Sequence, residues 1–196
     1  MYIFSQSVSR FDVGGKDIQK GLKGFMYGEE CTLRIEKKGQ NMSLGLIYKN
    51  AAHIFDEVEK KTPYLEYPLF QETGIVTSAF YTRLGGVSEG YYSSLNLSFD
   101  RGDDPARVLE NFKRIGASMG VSVEDMVLSK QAHTTNVRVV TKEDKGKGVM
   151  RERNYTDVDG MITNVPGICL VTSYADCVLI TFHTLHGILL SVAGAG

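Results

Sequence analysis

The sequence predicts a mixed α/β (α+β) chain in which β-sheets are covered by helices. Three observations predict it. The second half is a series of short runs rich in β-branched and aromatic residues: "DMVLSKQ", "VRVVT", "GMIT", "ICLVTSYA", "CVLITFHT" and "GILLSVA". One segment, "DDPARVLENFKRIGASMG", carries apolar residues at helical spacing. The stretch "CLVTSYADCVLITF" is too continuously apolar for a strand with one wet face, which places it centrally in a covered sheet. A helical stripe and strands of this kind bury one another as layers.

In chain order, residues 1–63 read as an N-terminal extension. Within it, "TLRIEKKGQNMSLGLIYKN" alternates apolar and polar residues on either side of Gly39-Gln40-Asn41, which signals a β-hairpin. "FDEVEKKTPYLEYPL" is charged and then broken by Pro63 and Pro68. His53, in "AAHIFDE", reads as a surface or packing residue. A main domain follows over residues 64–196. "GIVTSAFYT" (74–82) reads as a strand that runs into a loop dense in Gly and Ser. The helix comes next. Asp103 or Asp104 caps it, and Pro105 fits its first turn. Val108, Leu109, Phe112, Ile115 and Met119 form its stripe, and Gly120 ends it. The last two strands flank a tight turn at Leu185-His186-Gly187.

Composition narrows the partners. The chain has 196 residues, 42% of them hydrophobic and 23% charged, with a net charge of −1. That balance speaks against a nucleic-acid or membrane partner. No apolar stretch reaches the roughly 18 residues that span a bilayer. "MYIFSQSVSRFDVGGKD" lacks the basic and apolar regions of a secretory signal. Cys31, Cys169 and Cys177 form no framework, which suggests reduced thiols and a cytoplasmic location.

Three stretches could carry chemistry. Asp176 and Cys177, in "SYADCVLI", adjoin an apolar strand. A lone buried Cys packs inertly unless an activating or metal-sharing partner sits beside it. His133, in "SKQAHTTNVRVV", is the candidate partner, although a polar-flanked His between strands also serves as a solvated loop residue. Together they would make a Cys–His nucleophile pair or two ligands of a zinc ion. In the second stretch, Arg83 precedes Gly85 and Gly86, and Ser93, Ser94 and Asn96 follow. Glycines there allow close approach of a ligand, and Arg83 could fork onto a phosphate or carboxylate. The plainer reading is a turn with an exposed Arg. Asn96 lies between Leu95 and Leu97 and would point away from them if extended. In the third, Asp157, Asp159 and Gly160 form a turn in which Asp bonds its own backbone, or else Asp159 orients a ligating His.

Taken together, "TRLGGVSEGYYSSLNLSFDRGDD", "VLENFKRI", "SKQAHTTNVRVV" and "DVDGMITNVPGICLVTSYADC" resemble the YfiH/YlmD family, also called the laccase-domain or polyphenol oxidase family and described as purine nucleoside phosphorylases. The resemblance runs from about Tyr64 to about Cys177. It implies a sandwich with mixed sheets. It implies phosphorolysis of adenosine, inosine, guanosine and methylthioadenosine, with zinc-dependent deamination of adenosine. The small-molecule partners would be a purine nucleoside and phosphate. It also implies a zinc held by His, Cys and His, the first two falling on His133 and Cys177, with Arg83 and Asn96 beside the substrate.

The third ligand departs from that pattern. The family's returning strand carries His-(Ala/Ser)-Gly-Trp-(Arg/Lys)-Gly, whereas this chain reads "LLSVAGAG" and places Val192 at the His. Valine cannot ligate. The resemblance therefore implies a copy diverged or shortened at its C-terminus, with an incomplete metal site. His183 and His186 lie near the turn after Cys177, at the wrong end of a hairpin to substitute. Copper is less suited than zinc, because multicopper sites need many imidazoles and the chain has four His. The alternatives are a binding protein without turnover and a Cys177–His133 hydrolase.

Overall fold

The computed structural model describes residues 2–7, 22–26, 29–38, 41–48, 56–58, 60–174, 178–184 and 187–193. The strands are β1 (Tyr2–Ser7), β2 (Leu22–Met26), β3 (Glu29–Lys38), β4 (Asn41–Tyr48), β5 (Asp56–Val58), β6 (Tyr64–Glu66), β7 (Thr77–Tyr81), β8 (Met126–Leu128), β9 (Val137–Val139), β10 (Gly160–Thr163), β11 (Cys169–Tyr174), β12 (Val178–Thr184) and β13 (Gly187–Ala193). The helices are α1 (Pro68–Gln71) and α2 (Pro105–Met119). The fold is α/β. Among the described residues, no helix is long and apolar enough to cross a membrane.

Helix α2 follows from its sequence. The Asp104 side chain accepts the Ala106 N–H at 2.9 Å, Pro105 opens the first turn, and Gly120 closes the helix in a left-handed conformation. Its buried face is Val108, Asn111, Phe112, Ile115 and Gly116. That face lies on a sheet of strand order β5-β6-β7-β1-β11-β8, in which β7, β1, β11 and β8 are parallel. β1 sits between β7 and β11, so this sheet draws on both sides of residue 63. β3 and β4 pair antiparallel with Lys38 opposite Asn41, in a separate sheet with β2.

The parallel sheet is covered on both faces. Met126, Leu128, Cys169 and Val171 share one apolar cluster with Val108, Phe112 and Ile115 of α2. The residues between them, Val127 and Leu170, share another with Val140, Val158 and Met161. The second cluster seats β10 of a second sheet, of order β12-β13-β10-β9, against the first. Double coverage is why β11 opens on three consecutive apolar residues, Cys169, Leu170 and Val171, all buried.

The continuous run "CLVTSYADCVLITF" is divided between the two sheets, which corrects the expectation that all of it lies centrally in one covered sheet. β11 is interior to the first sheet. β12 pairs with β13 alone among the described strands, at an edge of the second. An apolar run records burial but not the sheet that provides it, and residues 175–177 contain no Gly or Pro to mark the change.

Candidate functional site

Because β7, β11 and β8 are parallel, their carboxyl ends share one edge of the first sheet. Arg83 follows β7, the segment 129–136 with His133 follows β8, and residues 175–177 follow β11. Ligands of open α/β sheets bind at such an edge. Asp176 and Cys177 lie outside the described residues, as do His53 and His186. The chain also passes from the first sheet to the second twice here, through 129–136 into β9 and through 175–177 into β12.

Register in the second sheet brings four strand ends together. Gly160 stands beside Val137 and opposite Ser191, and Val178 stands opposite Ala193. The starts of β9, β10 and β12 and the finish of β13 therefore share one end. Val192, opposite Leu179, is at that end. His183, opposite Ile188, is five residues along β12 from Val178, about 17 Å away at ~3.4 Å per residue.

His133 is held by its main chain. It is exposed and has a φ of 58°, a left-handed conformation uncommon for a residue with a β-carbon. Asp159, 7% exposed, supports it. The Asp159 carboxylate accepts the N–H of Ala132 at 3.1 Å, of His133 at 2.9 Å and of Thr134 at 3.0 Å, and the Thr134 hydroxyl at 2.8 Å. Burial acts to raise the Asp159 carboxyl. The Thr134 N–H and hydroxyl, with the Ala132 and His133 N–H groups, outweigh it and hold the group below the usual carboxylate range. Asp159 thus bonds the backbone of a distant segment rather than its own, which corrects the turn reading, and its hold on His133 is through the main-chain N–H. Its partners lie 25 to 27 residues away, beyond the reach of local turn rules.

Arg83 and Asn96 are anchored within their loop. Arg83 donates through Nε to the Ser93 carbonyl at 2.9 Å, and through Nη2 to the same oxygen. Leu95 and Leu97 are buried, while the Asn96 amide donates to Asp103 at 3.0 Å. Ser88 donates to the same carboxylate at 2.6 Å. Asn111 of α2 completes the network: it accepts the Val87 N–H at 2.8 Å and donates to Ser88 at 2.9 Å and the Asn96 carbonyl at 2.8 Å. Burial raises the Asp103 carboxyl, but Ser88, Asn96, the Asp104 N–H and the Arg107 charge together keep it low.

Gly85 has a positive φ, and a β-carbon there would come within 2.7 Å of Lys61 and Thr62. One at Gly86 would meet the Ser94 carbonyl at 2.0 Å. The close approach these glycines allow is to the chain itself, rather than to the ligand expected from sequence.

Sequence reasoning read Asp103 only as a candidate helix cap, the place Asp104 takes, and missed Ser88 and Asn111. The signal for Asn111 was available: it falls between Val108 and Phe112 on the buried face of an amphipathic helix. It also missed Asp100, which pairs with Lys130 and, at 3.4 Å, with Arg153. Asp100 thereby joins the Asn96 loop to the segment that carries His133. Among the described residues, no three His, Cys, Asp or Glu side chains group as metal ligands. Of the expected ligands His133 and Cys177, His133 lies among the described residues, on a backbone fixed beyond the carboxyl end of β8.

The family model described as multi-copper polyphenol oxidoreductase laccase matches residues 77–196. The chain is 34% identical over 116 residues to purine nucleoside phosphorylase YlmD of Geobacillus stearothermophilus, covering 59% of this chain and 42% of that protein. It is 39% identical over 102 residues to a purine nucleoside phosphorylase of Deinococcus radiodurans, covering 52% and 36%. The crystal structure of hypothetical protein YfiH of Bacillus licheniformis superimposes with a TM-score of 0.66 at 26% identity, covering 73% of this chain and 53% of that one. That of Geobacillus stearothermophilus YlmD does so with a TM-score of 0.64 at 31% identity, with the same coverage. The chain thus spans about half the length of these solved structures and less than half of the named phosphorylases. This chain belongs to the multi-copper polyphenol oxidoreductase laccase family, the family of YfiH and YlmD.

Proposed function

We propose that this chain carries a purine nucleoside phosphorylase site at the shared carboxyl edge of β7, β8 and β11, with adenosine, inosine, guanosine and methylthioadenosine as the substrate class. In phosphorolysis a phosphate oxygen bonds to the ribose C1′ and the C1′–N9 bond breaks. The bonding pair leaves with the purine, which takes up a proton. That step depends on positioning and on stabilising charge. Arg83 is the group for the phosphate, its fork steadied on the Ser93 carbonyl. Asn96 acts by fixing the loop around it through Asp103.

His133 and Cys177 would hold zinc. Imidazole and thiolate suit that ion, and four His in this chain are too few for a multicopper cluster. When bound, the ion supplies a Lewis acid at the sheet edge, the chemistry that deamination of adenosine would use. The observation that supports the proposal is the parallel alignment of β7, β8 and β11, which brings their carboxyl ends to one sheet edge.

A second reading, binding without turnover, is favoured by Val192. Register puts it at the site's end of β13, where a third ligand would belong. One experiment separates the two. Zinc is measured on folded protein by elemental mass spectrometry, beside phosphate-dependent release of free purine. The phosphorylase reading expects about one zinc per chain, lost in His133→Ala and Cys177→Ala, together with base release. Val192→His should tighten zinc binding. A folded chain that releases no base in phosphate overturns catalysis.

A further inference from the structure

We infer that Asp159 is the positioning residue of the site and acts through the main chain of His133 rather than through its ring. The inference rests on the reading of His133 as a zinc ligand. Segment 130–136 wraps around Asp159. At one end the Lys130 carbonyl accepts the Val158 N–H at 2.8 Å. At the other the Asn136 carbonyl accepts the N–H groups of Asp159 and Gly160, at 3.2 and 3.1 Å. Between them, three successive N–H groups and one hydroxyl converge on the Asp159 carboxylate. Successive N–H groups around a left-handed residue form a concave anion nest. Here the anion is built in.

The consequence is for His133. An exposed imidazole on a mobile loop samples many positions, and a metal must then order it on binding. With the backbone pinned on both sides and at its centre, only the side-chain torsions remain to be fixed. Asp157 is the neighbouring acid that lacks this role. It is exposed and accepts from the Asn136 side chain at 2.6 Å and from the Thr134 hydroxyl through its carbonyl at 3.5 Å, with no bond to the His133 N–H.

The test uses full-length, metal-free protein and carbon-13 relaxation of the His133 imidazole, assigned by its loss in His133→Gln. The ring should be ordered in the wild type and in Asp157→Asn, and mobile in Asp159→Asn. Zinc titrated against a chromophoric chelator should bind about 10- to 100-fold more weakly to Asp159→Asn, the usual loss when a ligand's supporting group is removed. Thr134→Val keeps the carboxylate and its N–H bonds and removes the hydroxyl, with its bonds to Asp159, the Asp157 carbonyl and the Asn136 N–H. It should shift both readouts in the same direction by less, and it decides the matter if Asp159→Asn does not fold. An imidazole as ordered in Asp159→Asn and Thr134→Val as in the wild type overturns the inference. A wild type that binds no zinc overturns the zinc reading instead, and the imidazole order then decides the role of Asp159 alone.

Discussion

His133 holds a φ of 58°, a conformation that costs a residue with a β-carbon roughly 1–2 kcal/mol and glycine almost nothing. Two substitutions separate that cost from the loss of the imidazole. His133→Gly and His133→Ala both remove the ligand, and only glycine relieves the backbone. His133→Gly should therefore be more stable than His133→Ala by about 1 kcal/mol in urea denaturation. Equal stability would mean that the loop leaves the left-handed region once the imidazole is gone. At this scale the sequence was legible in residue type and not in partnership. His133 and Asp159 were both visible as candidates, and so were Arg83 and Asn96. What each side chain bonds was not visible, because Asp159 meets residues 132–134 and Asn96 meets Asp103 only once the fold is formed.

Helix α2 was legible nearly to the residue, because its cap, its opening Pro and its closing Gly act locally. Asn111 is the exception on its buried face, and it ties the helix to the Arg83 loop through Val87, Ser88 and Asn96. Asn111→Leu keeps the branched shape and favours the helix by propensity, but leaves the half-buried Val87 N–H and Asn96 carbonyl without this partner. Each such group costs about 1–3 kcal/mol. The variant should lose at least ~2 kcal/mol in urea denaturation, and limited proteolysis should cut within 83–96 before α2. Lys113→Ala, on the exposed face, should change stability by less than about 0.5 kcal/mol. Cleavage no faster than in the wild type would show that the loop is held by other means. The strands were legible as elements, since each apolar run is local. Their sheets were not. The parallel place of β1 depends on pairings far along the chain, Tyr2 beside Thr77 and beside Cys169, and the division of β11 from β12 depends on the different sheets those two strands join.

At the scale of the whole molecule, three buried carboxylates among the described residues, Asp103, Asp144 and Asp159, each gather several donors. Asp103 joins the 88–96 loop to the start of α2, and Asp159 joins 132–134 to β10. Asp144 takes Arg138 and Lys147, each at 2.7 Å. Burial raises the Asp144 carboxyl, but Lys147, the Thr141 N–H and Arg138 overcome it and hold the group far below the ordinary range. All three are depressed in the fold, so the unfolded chain takes up protons first as acid is added. Their stabilisation is complete above the unfolded aspartate value of about 3.9 and is lost as pH falls below it. The alkaline side has the opposite sign. Burial pushes the Tyr155 phenol up to about 12, and raises Tyr81 as well, so the fold retains their protons longer than the unfolded chain does. That contribution is complete below the unfolded value of about 10 and is lost as pH rises through 12. The urea midpoint should be level from roughly pH 5 to 9 and should fall on both sides. Asp144→Asn should lower the midpoint at neutral pH, because Arg138 and Lys147 lose their shared anion, and should also make the acid limb shallower. An acid limb unchanged in that variant would show that Asp144 titrates alike in both states and that the ion-pair cluster does not hold its proton off.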